Sequence, residues 1–188
     1  MRLFTAIPLT DELRESLAGM QARLKAVDAD VRWVEPENFH LTVVFLGDLE
    51  EALLGDIEAA CAAIAAETAP FRLRLRGASS FPKNKPVLKT LWAGVDEGAE
   101  PWKALVGRAE PWFTPMGVPR EGGLMPHVTL GRVKSERGMG DLRAALAAEA
   151  RAAIGAQVAD RIVLIQSFLD RTGATYQERA AWSLSGAN

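Results

Sequence analysis

Two short segments of this chain read almost as copies of one another. His40-Leu41-Thr42-Val43 and His127-Val128-Thr129-Leu130 share the order histidine, apolar, threonine, apolar. They lie 87 positions apart (127 minus 40), one in each half of the 188 residues, and they use the only two histidines in the sequence. Each sits in an apolar run rich in β-branched residues and bounded by turn signals, which marks a strand. A matched strand in each half points to two similar lobes, each contributing one strand to a shared cleft.

The remaining pattern fits that frame. Residues 3–7 read as a strand ended by Pro8, because proline cannot donate to a sheet ladder. Thr10 is a good N-cap, and Asp11 and Glu12 suit a first helical turn. Leu13, Leu17, Met20 and Leu24 then recur at helical spacing and define one apolar face. Strands are expected at 31–34, 40–46, 71–76, 87–93, 127–133, 161–168 and 181–184. Helices are expected at 50–67, 101–113 and 140–154, the first and last rich in alanine. Residues 77–86 and 115–126 read as loops, and 170–175 as a connection. Strands and helices mix without a clean βαβ repeat. The expected class is α+β, with antiparallel or mixed sheets and outer helices around a central cleft. The whole of 1–188 is expected to form one domain of two interleaved lobes.

Composition excludes several classes. Apolar residues make up 48% and the formal net charge is −2, so the chain has material for a core and is not an intrinsically disordered type. A chain that grips duplex DNA through its phosphates is usually basic, so such a partner is not expected. The single cysteine, Cys61, forms no internal disulfide and is expected to pack as a small hydrophobe. The N-terminal apolar stretch is too short for a signal segment, and no uninterrupted apolar run approaches a membrane span. A cytoplasmic monomer with no obligate protein partner is the expectation.

The spacing within the paired motif carries chemistry. On a strand, residues i and i+2 face the same way. His40 and Thr42 therefore project together, as do His127 and Thr129. Leu41, Val43 and Phe45, like Val128 and Leu130, are expected to point away into packing. Two imidazoles and two hydroxyls converging on one pocket suit phosphoryl transfer by general acid–base catalysis. A neutral histidine can take a proton from attacking water while a protonated one gives a proton to the departing sugar oxygen. Threonine hydroxyls can hold the non-bridging phosphate oxygens. Which histidine plays which part is open at this point. No cofactor is called for. Two histidines without nearby cysteines or an H-E-x-x-H spacing fall short of a zinc ligand set, so no metal is expected.

Further candidates surround the motifs. Arg120, Arg132 and Lys134 are candidate phosphate contacts. Which of the last two faces the cleft depends on whether the strand runs regularly past Gly131 or bulges there. Phe39, Phe81 and Tyr176, at strand ends or in loops, are candidates for stacking on a base, whereas Phe4 and Phe45 are assigned to the core. The alternating Phe71-Arg72-Leu73-Arg74-Leu75-Arg76 places three arginines on one face. Such a face could attract RNA, and the plainer assignment is a solvated outer surface.

With these residues in view, the chain resembles the 2H phosphoesterase superfamily, and within it the RNA 2',3'-cyclic phosphodiesterases once described as 2'-5' RNA ligases. The matching pieces are R-L-F-T-A-I-P-L at 2–9, F-H-L-T-V-V-F-L-G at 39–47, M-P-H-V-T-L-G-R-V at 125–133 and S-F-L-D-R-T-G-A-T-Y at 167–176. The resemblance implies a bilobal fold with a pseudo-twofold axis through the cleft, and His40 with Thr42 and His127 with Thr129 as paired site residues. It implies hydrolysis of a terminal 2',3'-cyclic phosphate to a 2'-phosphate, with His40 protonating O3' and His127 activating water. Expected substrates are RNA ends or small cyclic nucleotides. A 2'-5' RNA ligase or 2'-5' phosphodiesterase is the alternative within enzymes, and a non-catalytic RNA-end binding protein the alternative outside them.

Overall fold

The computed structural model describes residues 1–82, 87–119, 125–169 and 174–187. The chain runs through β1 (Arg2–Pro8), α1 (Asp11–Lys25), β2 (Val31–Trp33), β3 (His40–Asp48), α2 (Leu54–Ala66), β4 (Phe71–Phe81), β5 (Thr90–Glu97), α3 (Ala99–Phe113), β6 (His127–Val133), α4 (Met139–Glu149), β7 (Ala153–Ala159), β8 (Arg161–Leu169) and β9 (Ala174–Ser183). The strands form two sheets, one ordered β3-β1-β8-β9 and the other β2-β6-β5-β4-β7. Every ladder is antiparallel. The fold is α+β, with helices packed on both sheets.

The two halves of the sequence are interleaved rather than set side by side. β4 follows α2 in the first half but pairs with β5 in the second sheet. β8 follows α4 and β7 in the second half but pairs with β1 in the first sheet. Helices exchange in the same way: α1 packs on β7 and α4, and α3 packs on β3 and α2. One hydrophobic core, from Leu3 and Leu13 to Leu130 and Leu184, runs through both lobes. Cys61 is fully buried in it, and burial pushes its thiol up to about 12, so it packs as an inert small hydrophobe.

Local chemistry explains most boundaries. Thr10 caps α1 by accepting the Leu13 amide, and Leu13, Leu17, Met20 and Leu24 are all buried. Four expectations are corrected. Residues 77–81 continue β4 instead of opening a loop, because Gly77 takes a left-handed φ of 72° and forms a bulge in the ladder. The next strand starts at Thr90 rather than at 87. The alanine-rich helix stops at Glu149, and the residues after it become β7, drawn into pairing with β4. The last strand is also longer than expected and begins at Ala174.

Candidate active site

The two histidine strands face one another across the lobes, and β3 packs against β6. His40 and Thr42 from β3 and His127 and Thr129 from β6 line one cleft, together with Val34, Asn38, Phe45, Phe81, Thr90, Arg132 and Tyr176. Thr90 pairs with Arg132 and Trp92 with Thr129, so β5 flanks the second half-site within the sheet.

Each imidazole is fixed in the same way. His40 Nδ1 lies 2.7 Å from the Asn38 carbonyl, and His127 Nδ1 lies 2.9 Å from the Met125 carbonyl. A carbonyl only accepts, so Nδ1 carries the proton in both rings. That leaves Nε2 of each to accept a proton when neutral and donate one when charged. Aromatic rings hold both orientations. Phe4 packs 4.7 Å from His40, and Tyr176 meets it edge-on at 5.4 Å. Phe81 meets His127 edge-on at 5.2 Å and stacks on Trp92 at 5.0 Å.

The strands do not run straight, and this decides what else reaches the cleft. On β3 the register skips Val43, which leaves Val43 and Val44 both buried and turns Phe45 outward. On β6 it skips Leu130, which leaves Leu130 and Gly131 both buried and turns Arg132 outward. The same bulge, at the same distance from each histidine, resets the alternation. Each half-site therefore presents three side chains, at the histidine and at two and five positions beyond it: His40, Thr42 and Phe45, and His127, Thr129 and Arg132. Gly131 permits the second bulge to pack, since a Cβ there would stand 2.8 Å from Val31 and 3.0 Å from Trp33.

Several sequence expectations change here. Phe45, expected in the core, is 48% exposed in the cleft. Phe39, a stacking candidate by sequence, is 2% exposed within the core, because it precedes the histidine and shares the inward face of Leu41. Lys134 lies exposed beyond the end of β6, away from the cleft lining, with its amide bonded to the Asp30 carbonyl. Arg120 lies outside the described residues. Phe81, Tyr176 and Arg132 line the cleft.

Sequence reasoning missed the residues that hold the histidine strands from behind. Gln21, 2% exposed on the inward face of α1, donates through Nε2 to the carbonyls of Val34 at 2.7 Å and Leu130 at 2.9 Å. It thereby ties the β6 bulge to the segment after β2. Trp102 on α3 donates through Nε1 to the Thr42 carbonyl at 3.0 Å. A glutamine on an otherwise apolar helical face was the available signal, since a buried amide needs partners. Losing it would leave the part-buried Val34 carbonyl without its donor, at about 1–3 kcal/mol, whereas the Leu130 carbonyl keeps the Val34 amide at 3.0 Å.

Burial lowers the His40 pKa, and the nearby His127 charge adds to the effect, against the opposing Asn38 hydrogen bond. Burial likewise pushes the Tyr176 phenol up, opposed by Arg132 and Arg2, so it stays a neutral hydroxyl at ordinary pH. The His40 shift has a consequence for stability. Its folded pKa lies below the unfolded value of 6.5, so the unfolded chain takes up the proton first as pH falls. The stability this contributes is complete above 6.5 and declines as pH drops toward the folded pKa. Melting temperatures of the protein and of His40→Gln, measured from about pH 8 to pH 5, should differ in slope: the native chain loses stability more steeply below 6.5. Parallel curves would mean that His40 is not held neutral by the fold.

Two strands of like sequence, bulged alike and facing each other with both Nε2 atoms free, define a two-histidine phosphoesterase arrangement. Comparison with known proteins identifies the family. The profile of the LigT-like phosphoesterases matches residues 7–92. The RNA 2',3'-cyclic phosphodiesterase of Methanothermobacter thermautotrophicus is 33% identical over 184 residues, covering 98% of this chain and 99% of that protein. A crystal structure from Thermus thermophilus superposes with a TM-score of 0.83 at 27% identity, covering 100% of both chains. Escherichia coli LigT, solved in complex with 3'-AMP, has the same fold, with a TM-score of 0.75 at 23% identity and 98% coverage of both chains. The chain belongs to the LigT-like 2H phosphoesterases, in the family of RNA 2',3'-cyclic phosphodiesterases. No helix among the described residues is long and apolar enough to cross a membrane. No group of three or more His, Cys, Asp or Glu side chains among them is placed to hold a metal ion.

Proposed function

We propose that this protein hydrolyses the 2',3'-cyclic phosphate at an RNA 3' end to a 2'-phosphate, in the cytoplasm, with the two histidines as its acid and base. The observation that carries this is the pair of Nε2 atoms left free on facing strands, each with a threonine hydroxyl beside it. Water attacks phosphorus as His127 Nε2 takes its proton. The P–O3' bond breaks as His40 Nε2 gives its proton to O3'. Atoms balance: water's oxygen joins the phosphate, O3' leaves as a hydroxyl, and the 2'-phosphate stays on the sugar. Thr42, Thr129 and Arg132 hold the non-bridging oxygens where charge collects. The phosphodiester anion, bound near His40, offsets the penalty that burial places on its charged form.

The test is direct. The purified protein is incubated with an RNA oligonucleotide ending in 2',3'-cyclic phosphate, with EDTA present, and the product is identified. A 2'-phosphate formed in EDTA supports the assignment. A 3'-phosphate would reverse which sugar oxygen departs. No turnover would remove the hydrolytic reading and move attention to 2'-5' linkages and end joining.

A further inference from the structure

The cleft does not end at its histidines. The register of the second sheet sets three cross-strand rows on the cleft side: Phe81, Thr90, Arg132; then Ser79, Trp92, Thr129; then Arg76, Gly94, His127. Directly paired residues of antiparallel strands share a face. Arg76 therefore lies on the same face as His127, two strands away, at about 10 Å by strand spacing. The Gly77 bulge makes this so, because it shifts the parity of β4 between Phe81 and Arg76. Straight alternation would have put the arginines on the side away from the cleft. Arg74 and Arg72 continue the same row of side chains outward along β4.

The charge of this face opposes that of the chain. The protein carries a net −2, yet Arg72, Arg74 and Arg76 face only Asp96 and Glu97 as ion-pair partners among the described residues. Arg76 has the longest of these ion pairs, with Asp96 at 3.9 Å, and donates one bond of 3.3 Å to the Arg151 carbonyl. The three side chains are 64%, 47% and 54% exposed, in chain order. Exposed ion pairs of this kind are weak, so a polyanion competes for them.

We propose that this arginine face carries the RNA strand leading to the cleft, so that the preferred substrate is an oligonucleotide end and not a cyclic mononucleotide. The proposal rests on the hydrolytic reading above and adds the part of the substrate beyond the terminal nucleotide. The face runs on from the cleft, and Arg76 is the first positive charge reached from His127 along its row. Phosphates of the preceding nucleotides meet Arg76, then Arg74 and Arg72, and give affinity without reading sequence.

The experiment compares 2',3'-cyclic AMP with a short oligoribonucleotide ending in 2',3'-cyclic phosphate, across a range of salt. Native protein should favour the oligonucleotide in kcat/KM. The triple variant Arg72→Ala, Arg74→Ala, Arg76→Ala should lose about tenfold on the oligonucleotide, keep its constants on cyclic AMP, and show a salt slope shallower by about 2, as three lost single-strand phosphate contacts require. The paired change Asp96→Asn, Glu97→Gln should act oppositely and lower KM for the oligonucleotide alone. Unchanged oligonucleotide kinetics in both variants, or equal losses on both substrates, would overturn the proposal. If native protein turned over neither substrate, the hydrolytic reading would fall. Binding of the same oligonucleotide ending in a 3'-phosphate, measured with the same variants, would then decide the arginine face separately.

Discussion

Replacing either cleft histidine with alanine is expected to lower kcat by about 10²–10⁴-fold while KM moves only a few-fold. Each ring contributes a proton transfer that exists only in the transition state, so the loss falls on turnover and not on substrate binding. The double variant should be little worse than the poorer single one, because an acid without its base has no partner reaction to assist. The pH profile separates the roles. A base must be neutral and an acid protonated, so native protein should show a bell. His127→Ala should erase the acidic limb if His127 is the base, and His40→Ala the alkaline limb if His40 is the acid. Steady-state kinetics from about pH 5 to pH 9 read all of this. Additive losses, or limbs unchanged in both variants, would mean that the histidines position substrate without exchanging protons.

The second large effect is expected at Arg132. Its guanidinium reaches the cleft only because β6 bulges at Leu130, and it lies near the Tyr176 phenol. Arg132→Met keeps much of the side chain's bulk and removes the charge and donors. Losing a preorganised donor to the developing phosphate charge should lower kcat/KM by about 10²–10³-fold. Arg132→Lys should recover part of this, since an ammonium supplies charge without the planar fork. Full activity in the methionine variant would place the arginine at the rim, outside the reaction.

These two sets of residues are not equally readable from the chain. The histidines and threonines announce themselves, because identical spacing in two strand-like runs is a local signal. The side on which Arg132 falls depends on a bulge, and straight alternation counts Phe45 inward. A bulge arises from how neighbouring strands pair, so its effect on facing is set by β1 and β5, far away in sequence. Gly131 is the one local hint. The same limit hides β7. Alanine-rich residues after Glu149 carry the helical preference onward, and pairing with β4 overrides it. β9 reads short for another reason: as an edge strand it carries Gln177, Glu178 and Arg179, and polar residues there mute the strand pattern. Gln21 shows the converse, a polar residue on an apolar face whose two carbonyl partners only the folded chain supplies.

The exchange of β4 and β8 between sheets bears on how this chain can be divided. Cut between β4 and β5, the first fragment would hold β4 without its partner β5, and β1 without the β8 that covers its free side. The second fragment would have the mirror-image deficit. Neither fragment closes its own sheets, and each displays the strand the other lacks. Mixed together, two such fragments are complementary templates, and the cleft with its two histidines would exist only in their reassembled pair.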